Sequence, residues 1–248
     1  MGRFDFLFRK RRDIELLMGI AGHVYGWDGV KLRKVGGSGN VYGIAFINGT
    51  VYEAGIGGIA RFALKKSSYQ PEVLGKREVA DLVCLHHGEV YGADNGKPTQ
   101  DAPNHEVFWT LNDSVIARRD SKILALCSHQ GKLYDGGEYG LFDTLSNEKI
   151  SGEPCEALCS HKGHLFKLYA GSVYDFRVGE EKFFESLLIS LCSHNGVLLG
   201  SLKCRGVINI EDQIPIISGK DIAIAKGHPD DPLDELLLVY SLVSAKPD

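Results

Sequence analysis

Histidine and cysteine, two residue types that bind metals and carry out acid–base or redox chemistry, recur at fixed spacing in this chain of 248 residues. Each pair belongs to a short motif that ends in glycine. The cysteine lies four residues and the histidine two residues before that glycine, in Cys84-x-His86-x-Gly88, Cys127-x-His129-x-Gly131, Cys159-x-His161-x-Gly163 and Cys192-x-His194-x-Gly196. A ring of such imidazoles would bind a metal ion or sense pH.

The recurrence favours a structural role for both residue types. A side chain that returns with each copy of a repeat is usually required by the fold, and histidines on opposite sides of a ring would lie too far apart to share one ion. Ala45 and Met18 replace the cysteine in weaker copies, and both suit an apolar core. We therefore predict turn histidines, buried unpaired thiols typical of a reducing compartment, and no metal or cofactor.

Carboxylates mark the start of the same motif. Glu15, Asp81 and Glu156 lie seven residues before the motif glycine, and Asp221 has a comparable position in a weak copy near Ile222–His228. If these groups converge, they could bind a cation, a basic peptide or a polyol, or act as acid and base in a hydrolase or lyase. Solvated or paired carboxylates without a functional role are the alternative.

A polar insert interrupts the repeat at residues 93–106, and Phe108-Trp109 follows it. Long loops on a rigid scaffold often carry binding function, although a surface insertion without function would have the same composition. The candidate binding residues in and beside this insert are Asn95, Lys97, Asp101, Asn104, His105 and Trp109.

The elements that must position these residues are β-hairpins. In each copy a strand ends at the histidine, the x-Gly dipeptide supplies a tight turn, and an apolar pair such as Leu133-Tyr134 starts the next strand. A third strand ends at Asp143 or Asp175, and a more variable apolar stretch precedes the next copy. Four short strands in 30–45 residues correspond to one blade of a β-propeller.

We predict an all-β fold in which residues 1–248 form a single propeller domain. Seven four-stranded blades are the first choice and six the alternative. The start of the chain, Gly2-Arg-Phe-Asp5, is similar to Gly140-Leu-Phe-Asp143, the third-strand sequence of a later copy. The N-terminus is therefore expected to supply outer strands of a blade that the C-terminus completes, which closes the ring and removes exposed edges.

The repeat resembles that of WD-repeat propellers over nearly the whole chain. In that family the inner strand ends in a Ser-Pro-Asp-Gly-like turn and the third strand ends in Trp-Asp. Ser193-His-Asn-Gly196 stands at the turn here, and Phe142-Asp143 and Tyr174-Asp175 stand at the Trp-Asp positions. The resemblance implies a propeller that serves as a platform for binding.

Composition and motifs exclude several classes of function. The net charge of −4 gives no overall attraction to nucleic acid. The chain has no apolar run of membrane-spanning length, no signal-peptide pattern and no phosphate-binding glycine loop. We therefore expect a cytoplasmic monomer without nucleic-acid or membrane contacts.

The predicted function is non-catalytic. The rigid ring would present one loop-rich face to a protein or peptide partner. An enzyme, or a binder of a small ligand or glycan, acting through the carboxylates at the mouth of the central channel is the alternative.

Overall fold

The computed structural model describes residues 14–20, 22–64, 69–96, 105–179, 181–183, 188–202, 206–218 and 239–244. The regular elements in these ranges are all β-strands, and neighbouring strands pair antiparallel around a central channel. The predicted all-β propeller is confirmed.

The first strands of the chain are β1 (Leu16–Ile20), β2 (Gly22–Trp27), β3 (Leu32–Ile47), β4 (Thr50–Gly55), β5 (Gly58–Ala63) and β6 (Glu72–Leu74). The next two groups are β7 (Leu82–His86), β8 (Glu89–Asp94), β9 (His105–Trp109) and β10 (Ser114–Arg119), then β11 (Ile123–His129), β12 (Lys132–Gly137), β13 (Gly140–Asp143) and β14 (Glu148–Ser151). The last are β15 (Ala157–His161), β16 (His164–Tyr169), β17 (Ser172–Asp175), β18 (Glu181–Phe183), β19 (Leu188–His194), β20 (Val197–Leu202), β21 (Gly206–Asn209), β22 (Pro215–Ser218) and β23 (Val239–Ser244).

These strands form five sheets within the described ranges. Four sheets have four strands each, β7–β10, β11–β14, β15–β18 and β19–β22, and the first strand of each lies nearest the channel. The remaining sheet has seven strands in the order β23-β1-β2-β3-β4-β5-β6. The prediction of seven blades, with six as the alternative, is therefore wrong: the described residues form five blades, one of them of double width.

The long strand β3 explains the difference in blade number. Its first half pairs with β2 at the outside of one repeat, and its second half pairs with β4 and lines the channel in the next repeat. Glycines make this continuity possible, because a Cβ on Gly37 would lie 2.5 Å from the Cα of His23 and one on Gly22 would lie 2.1 Å from the oxygen of Gly39. Two repeats thus merge into one sheet.

Pairing of the N-terminal and C-terminal strands closes the ring, as predicted. Strand β23 pairs antiparallel with β1 and lies between the inner strands β19 and β3. The C-terminus supplies only the innermost strand of this repeat. The β1–β2 hairpin, which turns at the weak motif glycine Gly22, therefore forms the second and third strands of the repeat and not its inner hairpin. The N-terminal signature at residues 2–5 and the weak copy at 222–228 lie outside the described residues.

The predicted hairpin turns are present and share one backbone conformation. Both central residues have positive φ in five turns: Asn48-Gly49, His87-Gly88, Gln130-Gly131, Lys162-Gly163 and Asn195-Gly196. This combination defines the type I′ turn, whose twist matches that of the flanking strands. Asparagine tolerates the left-handed conformation better than histidine, glutamine or lysine does.

The repeated cysteines lie in the core, as the exchange with Ala45 predicted. Cys84, Cys127, Cys159 and Cys192 are buried, and each Sγ approaches the carbonyl oxygen of the next residue. Burial raises the pKa of the Cys84 thiol to about 12. The Cys84 thiol therefore stays protonated, and the buried cysteines pack as small apolar side chains.

The left-handed conformation of the first turn residue predicts how substitutions there change stability. We expect Lys162→Asn to raise the free energy of unfolding by about 0.5–1 kcal/mol, because asparagine relieves the left-handed strain at this position. The exposed contact between Lys162 Nζ and Glu211, at 3.7 Å, is too weak to offset this gain. Denaturant unfolding would measure the change.

The matched control is the reverse exchange, Asn195→Lys, in the equivalent turn. It should lower stability, since it introduces the strain and removes the hydrogen bond between Asn195 Nδ2 and His194 Nε2. Equal effects of the two exchanges would contradict the assignment of turn strain.

Candidate functional site at the central channel

The central channel is a cavity of about 380 Å³ whose described wall comes from β3, β7, β11, β15 and β19. We call the end at which these inner strands begin the mouth face, and the end that carries the x-Gly turns the turn face. Consecutive residues of each inner strand, such as 124–128 of β11, line the channel, so each strand contributes to successive levels.

The levels differ in polarity. Five residues before the turn glycine the wall is apolar throughout its described part, with Ile44, Val83, Leu126, Leu158 and Leu191. Nearer the turn face the wall divides into Phe46 and Leu85 on one side and Ser128, Ser160 and Ser193 on the other. The channel therefore combines an apolar level with a row of hydroxyl groups nearer the turn face.

The repeated histidines bind these serines across neighbouring sheets. The Nδ1 atom of His86 lies 2.9 Å from Ser128 Oγ, and that of His129 lies 2.9 Å from Ser160 Oγ. His161 Nδ1 lies 2.8 Å from Ser193 Oγ. The histidines thus have a structural role, but it differs from the turn role that the sequence predicted: their bonds to serine join β7, β11, β15 and β19 in a row.

Burial lowers the pKa of two histidines in this row of hydrogen bonds. Desolvation lowers the pKa of His86, with a smaller contribution from the neighbouring His87. Desolvation likewise lowers the pKa of His129, with His164 adding to the effect. Both imidazoles are therefore neutral near pH 7.

The structure separates the candidate carboxylates. Glu156 lines the channel at the mouth face, whereas Asp81 Oδ2 accepts the backbone N–H of Asn95 at 2.9 Å. Glu15 lies at the opposite end, with its Oε2 4.0 Å from Nε2 of His194 near the turn face. The reason is that β1 is a second strand and runs opposite to the inner strands. Asp221 lies outside the described residues.

Asn95, at the start of the insert, fastens two blades together. Its side-chain amide donates to the carbonyl oxygen of Ile123 at 3.0 Å and accepts the backbone N–H of the same residue at 2.7 Å. This pair of bonds joins the end of β8 to the start of β11. The geometry shows a structural function for Asn95.

The other insert candidates do not form one described cluster. His105 is buried at the start of β9 on the mouth face. Trp109 lies at the far end of the same strand, where its Nε1 donates to Glu89 Oε2 at 3.1 Å on the turn face. Lys97, Asp101 and Asn104 lie outside the described residues.

The aspartates at the Trp-Asp positions stabilise turns within their own blades. Asp143 forms an ion pair with Lys132 at 2.9 Å, and Asp175 Oδ2 lies 2.7 Å from His164 Nδ1. The second carboxylate oxygen of Asp175 accepts the backbone N–H of Arg177 at 2.9 Å. Each aspartate thus links the third strand to the start of the second strand.

A second cavity, of about 470 Å³, lies between β10 and the sheet β11–β14. Arg119 crosses it and binds both carboxylate oxygens of Asp135, at 2.6 and 2.7 Å. The guanidinium carbon of Arg119 lies 4.2 Å from the centroid of the Phe142 ring. Its main charged group is already neutralised, so this cleft is chiefly an inter-blade contact.

The exposed aromatic side chains of the mouth face were not identified from the sequence. Tyr42 stands at the channel entrance, Tyr139 and Tyr169 lie where second strands turn into third strands, and Ile56 occupies a similar turn. Tyr139 is 57% exposed. An apolar residue recurring between the second and third strands was the signal available in the sequence.

The described ranges contain neither a metal-binding cluster nor a membrane-spanning helix. No group of three or more histidine, cysteine, aspartate or glutamate side chains in these ranges is placed to hold a metal ion. No helix in the same ranges has the length and apolar character needed to cross a membrane.

Comparison with known proteins defines the fold class alone. A chain of the nidogen/laminin complex superposes with a TM-score of 0.67 at 12% identity, covering 94% of this chain and 99% of that one. The WD40 β-propeller domain of Doa1 superposes with a TM-score of 0.53 at 12% identity, covering 76% and 86%. No protein-family model and no curated protein sequence matches. The chain has the fold of a WD40-like β-propeller.

The buried histidines predict a loss of stability in mild acid. The pKa values of His86 and His129 are lowered in the folded state, so the unfolded chain binds protons first as the pH falls below about 6.5. Their contribution is therefore complete above this pH and is lost as the pH falls towards the folded-state values. Denaturant unfolding between about pH 7.5 and about pH 5.5 measures the decline.

Replacing a titrating group supplies the control. His86→Gln should reduce the slope of unfolding free energy against pH over this range, whatever its effect on absolute stability. His23→Gln, near the Gly37 carbonyl and away from the serine chain, is the matched variant. An unchanged slope in His86→Gln would argue against the assignment.

Proposed function

We propose that this chain is a non-catalytic binding scaffold whose mouth face receives a protein or peptide partner. The observation that carries the proposal is the set of exposed aromatic and apolar side chains on that face, Tyr42, Ile56, Tyr139 and Tyr169. Tyrosine combines a large apolar surface with a hydroxyl group and is enriched in protein interfaces.

The turn face offers a different surface. Its exposed large side chains are aliphatic and stand in the turns between third and fourth strands, as Leu111, Leu145, Val178 and Ile214 do. These turns are separated because each belongs to a different blade. Single exposed aliphatic residues are common on soluble proteins and carry less information about binding than tyrosines around a cavity.

Polar groups complete the mouth face. The exposed carboxylates Glu78, Asp120 and Glu138 lie in its loops, together with Lys122. Both flanks of the insert, Asn95 and His105, also reach this face. An apolar centre with a charged rim is the usual arrangement of a protein-binding surface.

Rigid support for these loops is a second argument. The bonds of Asn95 to Ile123 and of Arg119 to Asp135 tie neighbouring blades together close to the mouth face. Loops held on such a scaffold lose little conformational entropy when a partner binds. Core cysteines such as Cys84 and Cys127, which form no disulfide, support a reducing compartment, and we propose the cytoplasm.

A photo-crosslinking amino acid at position 139 tests the assignment of the face. The full chain carrying it should form a discrete adduct that excess unmodified protein suppresses, whereas the same group at position 145, on the turn face, should not. The protein identified in the adduct is then purified for a direct binding titration.

In that titration we expect Tyr139→Ala combined with Tyr169→Ala to weaken binding at least about tenfold, since buried interface tyrosines often contribute more than 1.4 kcal/mol each. Leu145→Ala combined with Val178→Ala is the matched control and should leave affinity unchanged. Loss of binding confined to the control pair would refute the mouth-face proposal.

A further inference from the structure

The three channel serines have unused hydrogen-bonding capacity. Ser128, Ser160 and Ser193 occupy one level of the channel on the adjacent strands β11, β15 and β19. Within the described part of the chain, each Oγ forms one hydrogen bond, to the Nδ1 atom of a histidine. A hydroxyl group can donate one hydrogen bond and accept two, so the direction of the histidine bond decides what remains for a ligand.

His86 fixes that direction. Its Nδ1 bonds Ser128, while its Nε2 is buried without a hydrogen-bond partner in the described residues. A neutral imidazole carries one N–H, and a buried N–H without an acceptor is rarely tolerated. The proton therefore sits on Nδ1 and is donated to Ser128 Oγ, and the serine proton remains free to point into the channel.

The same histidine–serine geometry recurs at Ser160 and Ser193, with Nδ1–Oγ distances of 2.9 and 2.8 Å. The wall thus presents three hydroxyl groups at one level near the turn face, and the His86 tautomer leaves the Ser128 proton available as a donor. Phe46 and Leu85 stand across from them, and the next level toward the mouth is apolar in its described part. The channel accordingly has two zones, one for oxygen acceptors and one for hydrocarbon.

We infer that the channel binds a single-chain aliphatic carboxylate, whose head group accepts hydrogen bonds from Ser128, Ser160 and Ser193 and whose alkyl chain lies among Ile44, Val83, Leu126, Leu158 and Leu191. A carboxylate only accepts hydrogen bonds, and bonds from O–H donors to an ionised oxygen are strong. The volume of about 380 Å³ lies within the range of small-molecule sites. The chain would enter from the turn face with its methyl end first.

This site is independent of the proposed partner surface. It lies inside the ring, whereas the tyrosines Tyr139 and Tyr169 stand on the mouth face outside it. Loss of both tyrosines would leave every named contact of the alkyl chain and head group in place. The two proposals can therefore fail separately.

Calorimetric titration of the full chain with decanoate tests the inference. We expect one molecule of decanoate per chain. Decyltrimethylammonium has the same alkyl chain but no hydrogen-bond acceptor, and should bind at least tenfold more weakly. Absence of decanoate binding at millimolar concentration, as for a channel that holds only water, would overturn the inference, and so would equal binding of the two amphiphiles.

Serine variants separate the head-group contact from apolar adsorption. Ser160→Ala removes one donor and should weaken decanoate binding at least fivefold, whereas Ser160→Thr keeps the hydroxyl and should retain it. Ser114→Ala, on the outer strand β10, should change nothing. Because Ser160→Ala also removes the partner of His129, thermal unfolding of each variant establishes that it is folded at the titration temperature.

Mapping the peptides that a bound ligand modifies locates the binding site directly, and a folding defect would not produce the same labelling pattern. Decanoic acid with a diazirine near its methyl end should, after irradiation, modify peptides containing residues 124–128, 156–160 or 189–193. Adducts confined to the exposed turns at Leu111 or Leu145 would show surface adsorption and would overturn the inference.

Discussion

The centre of this ring depends on the hydrogen bonds that His86, His129 and His161 form with the serine of the next inner strand. Neighbouring sheets of a propeller share no backbone ladder, so side chains must fix their spacing and register. The bond between His129 and Ser160, repeated on both sides of it, does this where the sheets approach most closely. It also explains why serine and histidine occur together in the repeat.

Farther from the axis, charged side chains carry out the same function. Arg119 at the end of β10 binds Asp135 of the next sheet, and Arg77 binds Glu106 at 2.9 Å. In the following interface the charges are exchanged, since Lys167 on the strand side binds Glu153 in the linking segment. Either side of such an interface can carry the positive side chain, provided that the other side carries a negative one. No particular residue is required at a fixed position, so comparison of the repeats does not reveal the ion pair.

The repeat predicted the hairpins, their tight turns and the buried thiols, because each depends on residues within a few positions of the motif glycine. Blade number depends on longer connections. Gly22 stands at the turn of a hairpin, as the true motif glycines do. The two strands of that hairpin, however, are the second and third strands of their repeat, counted from the channel. The true inner strand, β23, carries Leu242-Val243-Ser244, a match to Leu191-Cys192-Ser193 that lacks the histidine and glycine of the motif.

That displacement also determined which site predictions failed. Glu156 follows a true inner-strand motif and lies at the mouth of the channel, whereas Glu15 was assigned to the same level through a second-strand hairpin and lies at the other end. Neighbouring strands of an antiparallel sheet run in opposite directions. A residue assigned to the inner strand when it belongs to the second strand is therefore placed on the mouth face when it lies on the turn face. Residues from several repeats can be assigned to one site only when the position of each strand within its blade is known.

The two surfaces proposed for binding differ in how strongly the fold constrains them. The serines of the channel also hold the ring together, so substitution there changes stability as well as ligand contacts, and a ligand held by them would stabilise the folded state. Tyr139 and Tyr169 lie outside the row of histidine–serine bonds. Substitution of these tyrosines would therefore leave the channel lining in place, so the two proposed sites could change independently.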